Sequence, residues 1–239
     1  MSTYELIKFQ SAEELAQAVA AKWLKEIEAL GQSNRFYGVA LSGGRIAGRF
    51  FSAAANVAKA RHLSLGSIDF FWGDERCVPP EDAESNFRLA RETLLAPLGI
   101  AEHRIHRLRG EEQPEKAAAA AGEELCRLAP GERNGQPVLD LIFLGMGEEG
   151  HTASLFPGEP EEVKNSAAVF RPVVTPKPPP LRITLGYPAI AAARQVWVLA
   201  SGAGKENALR ESLAPGGKTP LGRVLQLRAC TTVLTELAV

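Results

Sequence analysis

A glycine-rich segment with a single histidine carries the clearest chemical signal in this chain. Residues 145–158 read GMGEEGHTASLFPG, and they follow directly after the apolar run 139–144, which predicts a buried strand. Glycines let the backbone bend sharply and approach a ligand closely. A histidine in such a loop can accept or donate a proton near neutral pH. We therefore expect His151 to lie at the edge of an active site and to take part in proton transfer.

The same segment contains a pattern typical of dinucleotide-binding proteins. Gly145, Gly147 and Gly150 satisfy G-x-G-x-x-G. That fingerprint opens a helix in a βαβ unit, with an acidic residue about 20 positions further on. Here it comes past the middle of the chain, and Pro157 and Gly158 would end a helix early. We interpret the glycines as shaping a catalytic loop, and we expect no dinucleotide.

Three further predicted strands also end in polar or glycine-rich segments. These segments are Ser42-Gly43-Gly44-Arg45, Gly73-Asp74-Glu75-Arg76 and Ser201-Gly202-Ala203-Gly204-Lys205. In open α/β sheets, ligands bind in the crevice beyond the carboxyl ends of the strands. Chance turns would explain one or two such strand ends, but four together indicate one shared site.

Two of these segments have features that suit a phosphate group. Residues 42–44 precede a predicted helix, so their backbone N–H groups and the helix dipole are placed to hold an anion, with a plain βα turn as the alternative. Lys205 stands at another helix start and offers a point charge, with a solvated lysine as the alternative. The segment that ends in Lys205 is not a nucleotide-binding P-loop, because Glu206 stands where that motif needs serine or threonine.

The remaining candidates are charged side chains at strand ends or in a stiff loop. Asp74 can orient a substrate hydroxyl or act as a base, and Arg76 beside it is its expected salt-bridge partner. Lys177 and Arg182 flank three consecutive prolines at 178–180, whose stiff backbone would hold a cation for anion capture at small entropic cost. A solvated surface loop is the alternative for both, and Arg182 is the better candidate because it starts a strand.

Composition and cysteine usage exclude several classes of function. The 239 residues carry a net charge of -1, with 45% hydrophobic and 23% charged residues, which predicts a globular protein without a nucleic-acid surface or a membrane segment. The first residues do not have the pattern of a secretory signal. Cys77, Cys126 and Cys230 are few, odd in number and far apart, which favours the reducing cytoplasm. His103 and His106 lack a cluster of further ligands, so no metal is expected.

Predicted strands and helices alternate along the whole chain. The predicted strands are 4–9, 36–41, 68–72, 139–144, 169–173, 182–185, 195–200 and 230–234, and the predicted helices are 11–30, 46–60, 87–95, 115–128 and 205–213. Such alternation is typical of an α/β fold with a mostly parallel sheet and helices on both faces. No repeat or linker is visible, so residues 1–239 are expected to form a single domain.

Together these residues resemble the 6-phosphogluconolactonase family, within the superfamily that also contains glucosamine-6-phosphate deaminases and ribose-5-phosphate isomerases. The resemblance covers nearly the whole chain and rests on residues 41–44, 72–76, 85–86, 145–158, 177–184 and 201–205. The deaminases share the Gly-His pair but continue differently, so residues 152–158 favour the lactonase. The resemblance implies a modified Rossmann-like fold, no cofactor, and hydrolysis of 6-phospho-D-glucono-1,5-lactone to 6-phosphogluconate in the oxidative pentose phosphate pathway.

The resemblance also implies a role for each candidate residue. His151 would be the general base that activates water, and Asp74 is counted with it as catalytic. The predicted substrate-binding residues are Ser42, Gly43, Gly44, Arg182 and Lys205 around the phosphate, Arg76 beside the sugar ring with Asp74, and in addition Arg45, Gly147 and Lys177. Loop N–H groups near Gly147 would form an oxyanion hole. The expected partner is one small phosphorylated sugar lactone, bound by a monomer.

The chain departs from the family pattern at two places. Arg45-Ile46-Ala47 stands where Ser or Thr and then Pro usually follow Ser-Gly-Gly, and Arg45 can supply charge there instead. Glu149 stands where Asp usually precedes Gly-His, and its extra methylene shifts the carboxylate by about 1 Å, enough to matter for an aimed group. Two other functions therefore stay open: a deaminase or isomerase of the same fold, and a sensor that binds sugar phosphates without catalysis.

Overall fold

Helices and strands alternate along much of the chain, as predicted. The protein, as a computed structural model, is described over residues 4–31, 35–229 and 231–239. The strands are β1 Glu5–Lys8, β2 Gly38–Leu41, β3 Asp69–Trp72, β4 Asp74–Arg76, β5 Glu132–Arg133, β6 Gln136–Pro137, β7 Leu141–Gly145, β8 Phe170–Val174, β9 Leu181–Leu185, β10 Gln195–Ala200 and β11 Thr232–Thr235. The helices are α1 Ala12–Leu30, α2 Arg45–Ala60, α3 Asn86–Ala90, α4 Pro114–Leu128, α5 Glu161–Lys164, α6 Tyr187–Ala192, α7 Glu206–Leu213 and α8 Pro220–Gln226. Alternation is broken at β3–β4, β5–β7 and β8–β9, whose strands follow one another without a helix between them.

A six-stranded parallel sheet forms the centre of the fold, in the order β1-β11-β10-β7-β2-β3. Strands β2 and β3 are buried at every position, as expected for parallel strands covered on both faces. Aromatic rings pack the helices against the sheet. The ring centroid of Trp23 on α1 lies 5.5 Å from that of Phe50 on α2 and 5.5 Å from that of Phe143 on β7. The predicted fold class, a mostly parallel α/β sheet with packed helices, is confirmed. The last predicted strand begins at Cys230, which lies outside the described residues.

The predicted strands 169–173 and 182–185 exist, but they do not join the parallel sheet. As β8 and β9 they pair antiparallel with each other, and β9 pairs antiparallel with β4 in a separate three-stranded sheet. The physical reason is the length of their connection, which spans only residues 175–180. A parallel pair needs a crossover of a dozen or more residues, whereas an antiparallel pair can be joined by a short turn. This second sheet carries Asp74, Arg76 and Arg182 on adjacent strands.

Short helices in the second half were not predicted from the sequence. Helix α8 begins at Pro220, and the Thr219 hydroxyl accepts a hydrogen bond from the Gly222 N–H, a cap that a Thr-Pro start signal could have indicated. Helix α6 has only six residues, too few for an apolar period to stand out. Helix α3 is capped by Ser85 and continues as a π-helical turn through Leu95, which together match the predicted helix 87–95. No helix among the described residues is long and apolar enough to cross a membrane.

One buried histidine ties α4 to the central sheet through two carboxylates. The His106 ring lies with Nε2 3.0 Å from Asp69 Oδ1 and Nδ1 2.9 Å from Glu124 Oε1, while Arg104 also contacts Asp69. Burial acts to lower the pKa of His106, but the hydrogen bonds to the two carboxylates outweigh it and raise the pKa above its ordinary value. The charged imidazolium, which can donate from both nitrogens, is therefore favoured by folding.

This histidine should make the stability of the protein depend on pH. A raised pKa in the folded state gives a stabilisation that is complete below the ordinary value near 6.5 and is lost as the pH rises through the folded-state pKa. A tenfold difference in proton affinity between the folded and unfolded states corresponds to about 1.4 kcal/mol. We expect urea unfolding between pH 6 and pH 9 to show a declining free energy of unfolding in the wild type and a flatter profile in His106→Gln. An unchanged slope in His106→Gln would contradict this assignment, and exposed His103→Gln is the matched control.

Candidate active site

A cavity of about 380 Å³ opens at the carboxyl ends of β2, β3, β7 and β10. The four strand-end segments singled out in the sequence all reach it, so they come together as the crevice rule for α/β sheets predicts. The cavity is lined by every predicted site residue: Ser42, Gly43, Gly44, Arg45, Asp74, Arg76, Gly147, His151, Lys177, Arg182 and Lys205. Their individual roles remain predictions.

His151 is held by its own glycine loop. The Gly147 N–H donates to the His151 carbonyl at 2.9 Å, and the Gly150 N–H donates to the Gly147 carbonyl at 3.0 Å, which closes a tight turn. The imidazole stacks on Phe156, with ring centroids 4.3 Å apart. A Cβ at Gly147 would lie 1.9 Å from the imidazole Cε1, so only glycine leaves room for the ring. The glycines therefore shape the seat of the histidine, as the sequence indicated.

The same turn limits which N–H groups can stabilise an oxyanion. The Gly147 N–H is donated to the His151 carbonyl, and the Gly150 N–H is donated to the Gly147 carbonyl. N–H groups that close the turn are not available to a developing negative charge on a substrate. The expectation that loop N–H groups near Gly147 form an oxyanion hole stays a prediction for the other N–H groups of the loop.

The environment of His151 favours its neutral, proton-accepting form. Burial lowers the pKa of His151, and the nearby Lys177 charge acts in the same direction, while Glu149 acts against them. Glu149 Oε2 lies 3.0 Å from His151 Nδ1, although the two groups lack the alignment of a good hydrogen bond. A neutral imidazole near pH 7 can take a proton from water.

Glu149 is shared between the histidine and a lysine from the proline-rich loop. The Lys177 ammonium donates to Glu149 Oε2 at 3.0 Å. Burial acts to raise the pKa of Glu149, but the hydrogen bonds from Lys177 and from a backbone N–H, together with neighbouring His151, outweigh it and the pKa lies below its ordinary value. The carboxylate is therefore ionised beside His151. The longer side chain that distinguishes this chain from the family pattern still reaches the histidine.

Asp74 is buried, and its two carboxylate oxygens have different donors. The Ser154 hydroxyl donates to Oδ2 at 2.7 Å, and the Asn86 amide donates to Oδ1 at 3.2 Å and to the Asp74 carbonyl at 2.9 Å. Asn86 also fills the space beside Gly43, where a Cβ would lie 1.7 Å from the Asn86 Oδ1. The Ser42-Gly43-Gly44 turn and Asp74 are thus packed against one amide side chain.

Arg76 does not pair with Asp74, which corrects the expected salt bridge. Its guanidinium donates to the Glu84 carbonyl at 2.5 Å and lies 3.7 Å from the Glu84 carboxylate. Asp74 and Arg76 lie two positions apart on β4 and both line the cavity, but the Asp74 oxygens accept from Ser154 and Asn86 instead. Glu75, between them, points to the other face of the strand. Glu75 accepts from the backbone N–H groups of Arg76, Asn86 and Phe87 and thereby fixes the loop before α3.

Two cations meet near the start of α2 without a carboxylate partner. The Lys205 ammonium donates to the Met146 carbonyl at 2.7 Å. Burial lowers the pKa of Lys205, and the charge of neighbouring Arg45 lowers it further. Among the described residues, neither Lys205 nor Arg45 has an acidic oxygen within 4.0 Å. Glu148 and Glu236 act on Lys205 only from a distance, in the direction that raises its pKa. Two adjacent cations without a salt bridge, beside the first N–H groups of a helix, are suited to bind an anion.

A third cation, Arg182, is buried and is held by main-chain oxygens. Its guanidinium donates to the carbonyls of Pro179 at 3.0 Å, Lys177 at 3.3 Å and Pro178 at 3.4 Å. Burial lowers the pKa of Arg182, and Arg76, its register partner across β4 and β9, acts in the same direction. The proline loop thus fixes a cation at the cavity wall, as its stiffness suggested.

The structure adds residues that were not assigned to the site from the sequence. Arg49 lies on α2 one turn after Arg45, and this i, i+4 spacing was readable in the sequence. Glu236 follows β11 and accepts from the Ser201 hydroxyl at 2.7 Å and the Gly202 N–H at 2.9 Å, a pairing across 35 residues that no local signal indicates. Glu148, Asn86 and Ser201 also line the cavity.

Two other chemistries find no support around the cavity. Burial, together with the nearby Glu75 charge, raises the pKa of Cys77 to about 11, so this thiol is protonated at neutral pH and is a poor nucleophile. Within the part of the chain that the structure describes, no three His, Cys, Asp or Glu side chains come together as metal ligands. His151, Asp74 and the cations are the candidate groups for acting on a substrate.

A family profile and individual relatives match this chain over most of its length. The profile of glucosamine-6-phosphate isomerases and 6-phosphogluconolactonases matches residues 10–233. A 6-phosphogluconolactonase from Streptomyces coelicolor is 35% identical over 222 residues, which are 90% of this chain and 85% of the relative. A 6-phosphogluconolactonase from Treponema pallidum is 37% identical over 208 residues, 86% of this chain and 85% of the relative.

A solved structure has the same architecture. The 6-phosphogluconolactonase from Trypanosoma brucei superposes with a TM-score of 0.83 at 30% sequence identity. The match covers 99% of this chain and 97% of that structure, so it includes all four strand-end segments and the antiparallel sheet.

Proposed function

The chain belongs to the family of glucosamine-6-phosphate isomerases and 6-phosphogluconolactonases, and we propose that it acts as the lactone hydrolase of that family. It hydrolyses 6-phospho-D-glucono-1,5-lactone to 6-phospho-D-gluconate, a step of the oxidative pentose phosphate pathway. The relatives at 35% and 37% identity carry the 6-phosphogluconolactonase name, which supports the lactonase over the isomerase. Residues 152–158 of the histidine segment support the same choice.

One observation carries the proposal: a neutral histidine shares a cavity with cations that lack acidic partners. Lys205 and Arg45 supply charge for a phosphate, and Arg182 supplies a buried guanidinium. His151 supplies a proton acceptor, because burial keeps its pKa low. A substrate with a phosphate at one end and an activated ester at the other uses both features. A sensor that only binds sugar phosphates would need the cations but would not need a neutral histidine in the cavity.

The reaction follows from these groups. The phosphate binds among Ser42-Gly43-Gly44, Lys205 and Arg182, which fixes the lactone ring in the cavity. His151 takes a proton from water, and the water oxygen attacks the lactone carbonyl carbon. The bond from that carbon to the ring oxygen then breaks, and the imidazolium returns its proton to the ring oxygen. Positioning and general-base catalysis each lower the barrier, the latter typically by about 10²–10⁴-fold in rate.

Asp74 and Arg76 border the sugar ring in this arrangement. Both oxygens of Asp74 already accept one hydrogen bond, and a carboxylate has about four acceptor sites, so it can still accept from a substrate hydroxyl. We propose that Asp74 orients the ring toward the water held by His151. Arg76 and Lys177 complete the wall on the side of the antiparallel sheet.

The setting of the enzyme is proposed on the same grounds. We propose that the enzyme is a monomer formed by one domain over residues 1–239. Cys77 and Cys126 are free thiols, which supports the cytoplasm as the compartment. A net charge of -1 supports a small-molecule substrate and no nucleic-acid partner. Light scattering of the purified protein would test the monomer.

The deciding experiment is acid release from freshly generated 6-phosphogluconolactone. It is run at slightly acidic pH, where spontaneous ring opening is slow, beside a blank without enzyme. We expect the wild type to exceed the blank by orders of magnitude. Glucosamine 6-phosphate and ribose 5-phosphate are run in parallel, and turnover of either one without lactone hydrolysis would establish the alternative enzyme. Binding of 6-phosphogluconate without any turnover would establish the sensor.

A further inference from the structure

The segment after His151 contains a serine whose place in the fold has a catalytic consequence. We propose that Ser154 is a positioning residue that acts through Asp74 and sets the orientation of that carboxylate toward the substrate. This inference rests on the proposed lactone hydrolysis and on the role of Asp74 within it. It gives a role to a serine that stands three residues after the histidine, is fully buried and does not line the cavity.

The hydroxyl of Ser154 donates its hydrogen bond to Asp74 in a buried environment. Ser154 is fully buried and Asp74 is 5% exposed, so water does not compete for the contact. The Ser154 hydroxyl has one proton, and it donates that proton to Asp74 Oδ2 at 2.7 Å. A buried donor to a carboxylate is among the stronger hydrogen bonds in proteins and fixes the carboxylate geometry.

The backbone around Ser154 holds its hydroxyl against Asp74. Ala153 has φ of +48°, a left-handed conformation that is uncommon for residues other than glycine and that turns the chain inward. The Thr152 hydroxyl donates to the Gly145 carbonyl at 2.8 Å and anchors the turn to the end of β7. The Ser154 N–H donates to the Thr184 hydroxyl at 3.2 Å. A strained turn that is anchored at two points is typical of a segment with a positioning role.

Ser154 links the loop that carries His151 to the strand that carries Asp74. Ser154 lies three residues after His151 on one loop, while Asp74 lies on β4, opposite Thr184 of β9. Ser154 contacts both strands at once, through its hydroxyl to Asp74 and its N–H to Thr184. The distance between His151 and Asp74 is therefore fixed by one short segment. Asn86 holds the other oxygen of Asp74, so loss of Ser154 leaves the carboxylate held on one side only.

The test compares Ser154→Ala with Ser212→Ala, which removes another buried serine hydroxyl. Ser212 is 2% exposed, donates to the Ala208 carbonyl at 2.7 Å, and lies outside the cavity lining. We expect Ser154→Ala to lower kcat about 10- to 100-fold with KM changed less than threefold, as for loss of a hydrogen bond to a charged group when the phosphate contacts are intact. Ser212→Ala should keep kcat near the wild-type value. Equal kcat in the two variants would overturn the proposal.

A double-mutant cycle separates positioning from a structural role. In the Asp74→Asn background, Ser154→Ala should lower kcat no further, because the group through which it acts is already altered. A reduction that multiplies with that of Asp74→Asn would show that Ser154 acts independently and would overturn the proposal. Should Ser154→Ala not fold, Ser154→Cys keeps the volume with a weaker donor and should give the same pattern at smaller size.

A crystal structure of Ser154→Ala gives a readout that does not depend on the reaction. We expect the Asp74 carboxylate to leave its wild-type orientation, and an unmoved carboxylate would overturn the proposal even if the enzyme hydrolyses the lactone. Failure of the wild type to hydrolyse the lactone would instead overturn the proposed function, and the orientation of Asp74 in the variant would still decide the role of Ser154.

Discussion

Replacing His151 by alanine should lower kcat for 6-phosphogluconolactone hydrolysis about 10²–10⁴-fold, the usual range for loss of a general base. The phosphate-binding cations do not contact this side chain through any hydrogen bond, so KM should change little. Initial rates of acid release, corrected for spontaneous opening, measure the effect. Isothermal titration with 6-phosphogluconate supplies the control, because the variant should retain the affinity of the wild type. Equal rates for wild type and variant would remove His151 from the mechanism and favour the sensor.

The pH dependence of the reaction gives an independent view of the same residue. A general base works when it is deprotonated, that is, at pH values above its pKa. Burial lowers the pKa of His151 below its ordinary value of 6.5, so the acid limb of kcat/KM should lie below pH 6.5. Lys177→Met removes a neighbouring positive charge and should move this limb upward. A limb that stays in place would show that Lys177 does not influence His151.

The second large effect is expected at the cationic end of the cavity. Lys205→Met should raise KM for the phosphorylated lactone about 10- to 100-fold, because hydrogen bonds to charged groups contribute about 1.5–3 kcal/mol. Among the described residues no acidic oxygen lies within 4.0 Å of Lys205, so no salt bridge within the protein occupies its ammonium group. The ratio of kcat/KM for 6-phosphogluconolactone to that for unphosphorylated glucono-1,5-lactone should fall by the same factor. Exposed Lys218→Met should leave the ratio unchanged.

Lys205 also contacts the catalytic loop, and a second variant separates the two roles. The Lys205 ammonium donates to the Met146 carbonyl, so its loss could disturb the loop that carries His151. Arg45 makes no such contact, and Arg45→Met should also raise KM, by a smaller factor, with kcat retained. A fall in kcat in Lys205→Met together with an unchanged KM in Arg45→Met would place the phosphate elsewhere in the cavity.

The sequence by itself determined where the site lies and which residue types it contains. In an alternating α/β chain the carboxyl ends of parallel strands meet at one edge of the sheet, so segments that follow β2, β3, β7 and β10 had to come together. Glycine spacing around His151 is also a local property, because a Cβ at Gly147 collides with a ring only four residues away. The family resemblance rests on the same local segments.

The tertiary structure alone decided which partner each charged group has. Ser154 meets Asp74 across 80 residues, and Lys177 meets Glu149 across 28 residues. Arg76 turned out to pair with Glu84, while Asp74, two positions before it on the same strand, is held by Ser154 and Asn86. The antiparallel sheet was missed because the alternation of elements says nothing about strand direction once a connection is too short for a helix. Local sequence sets backbone shape and residue chemistry, whereas contacts between distant segments depend on how the packed sheets bring them together.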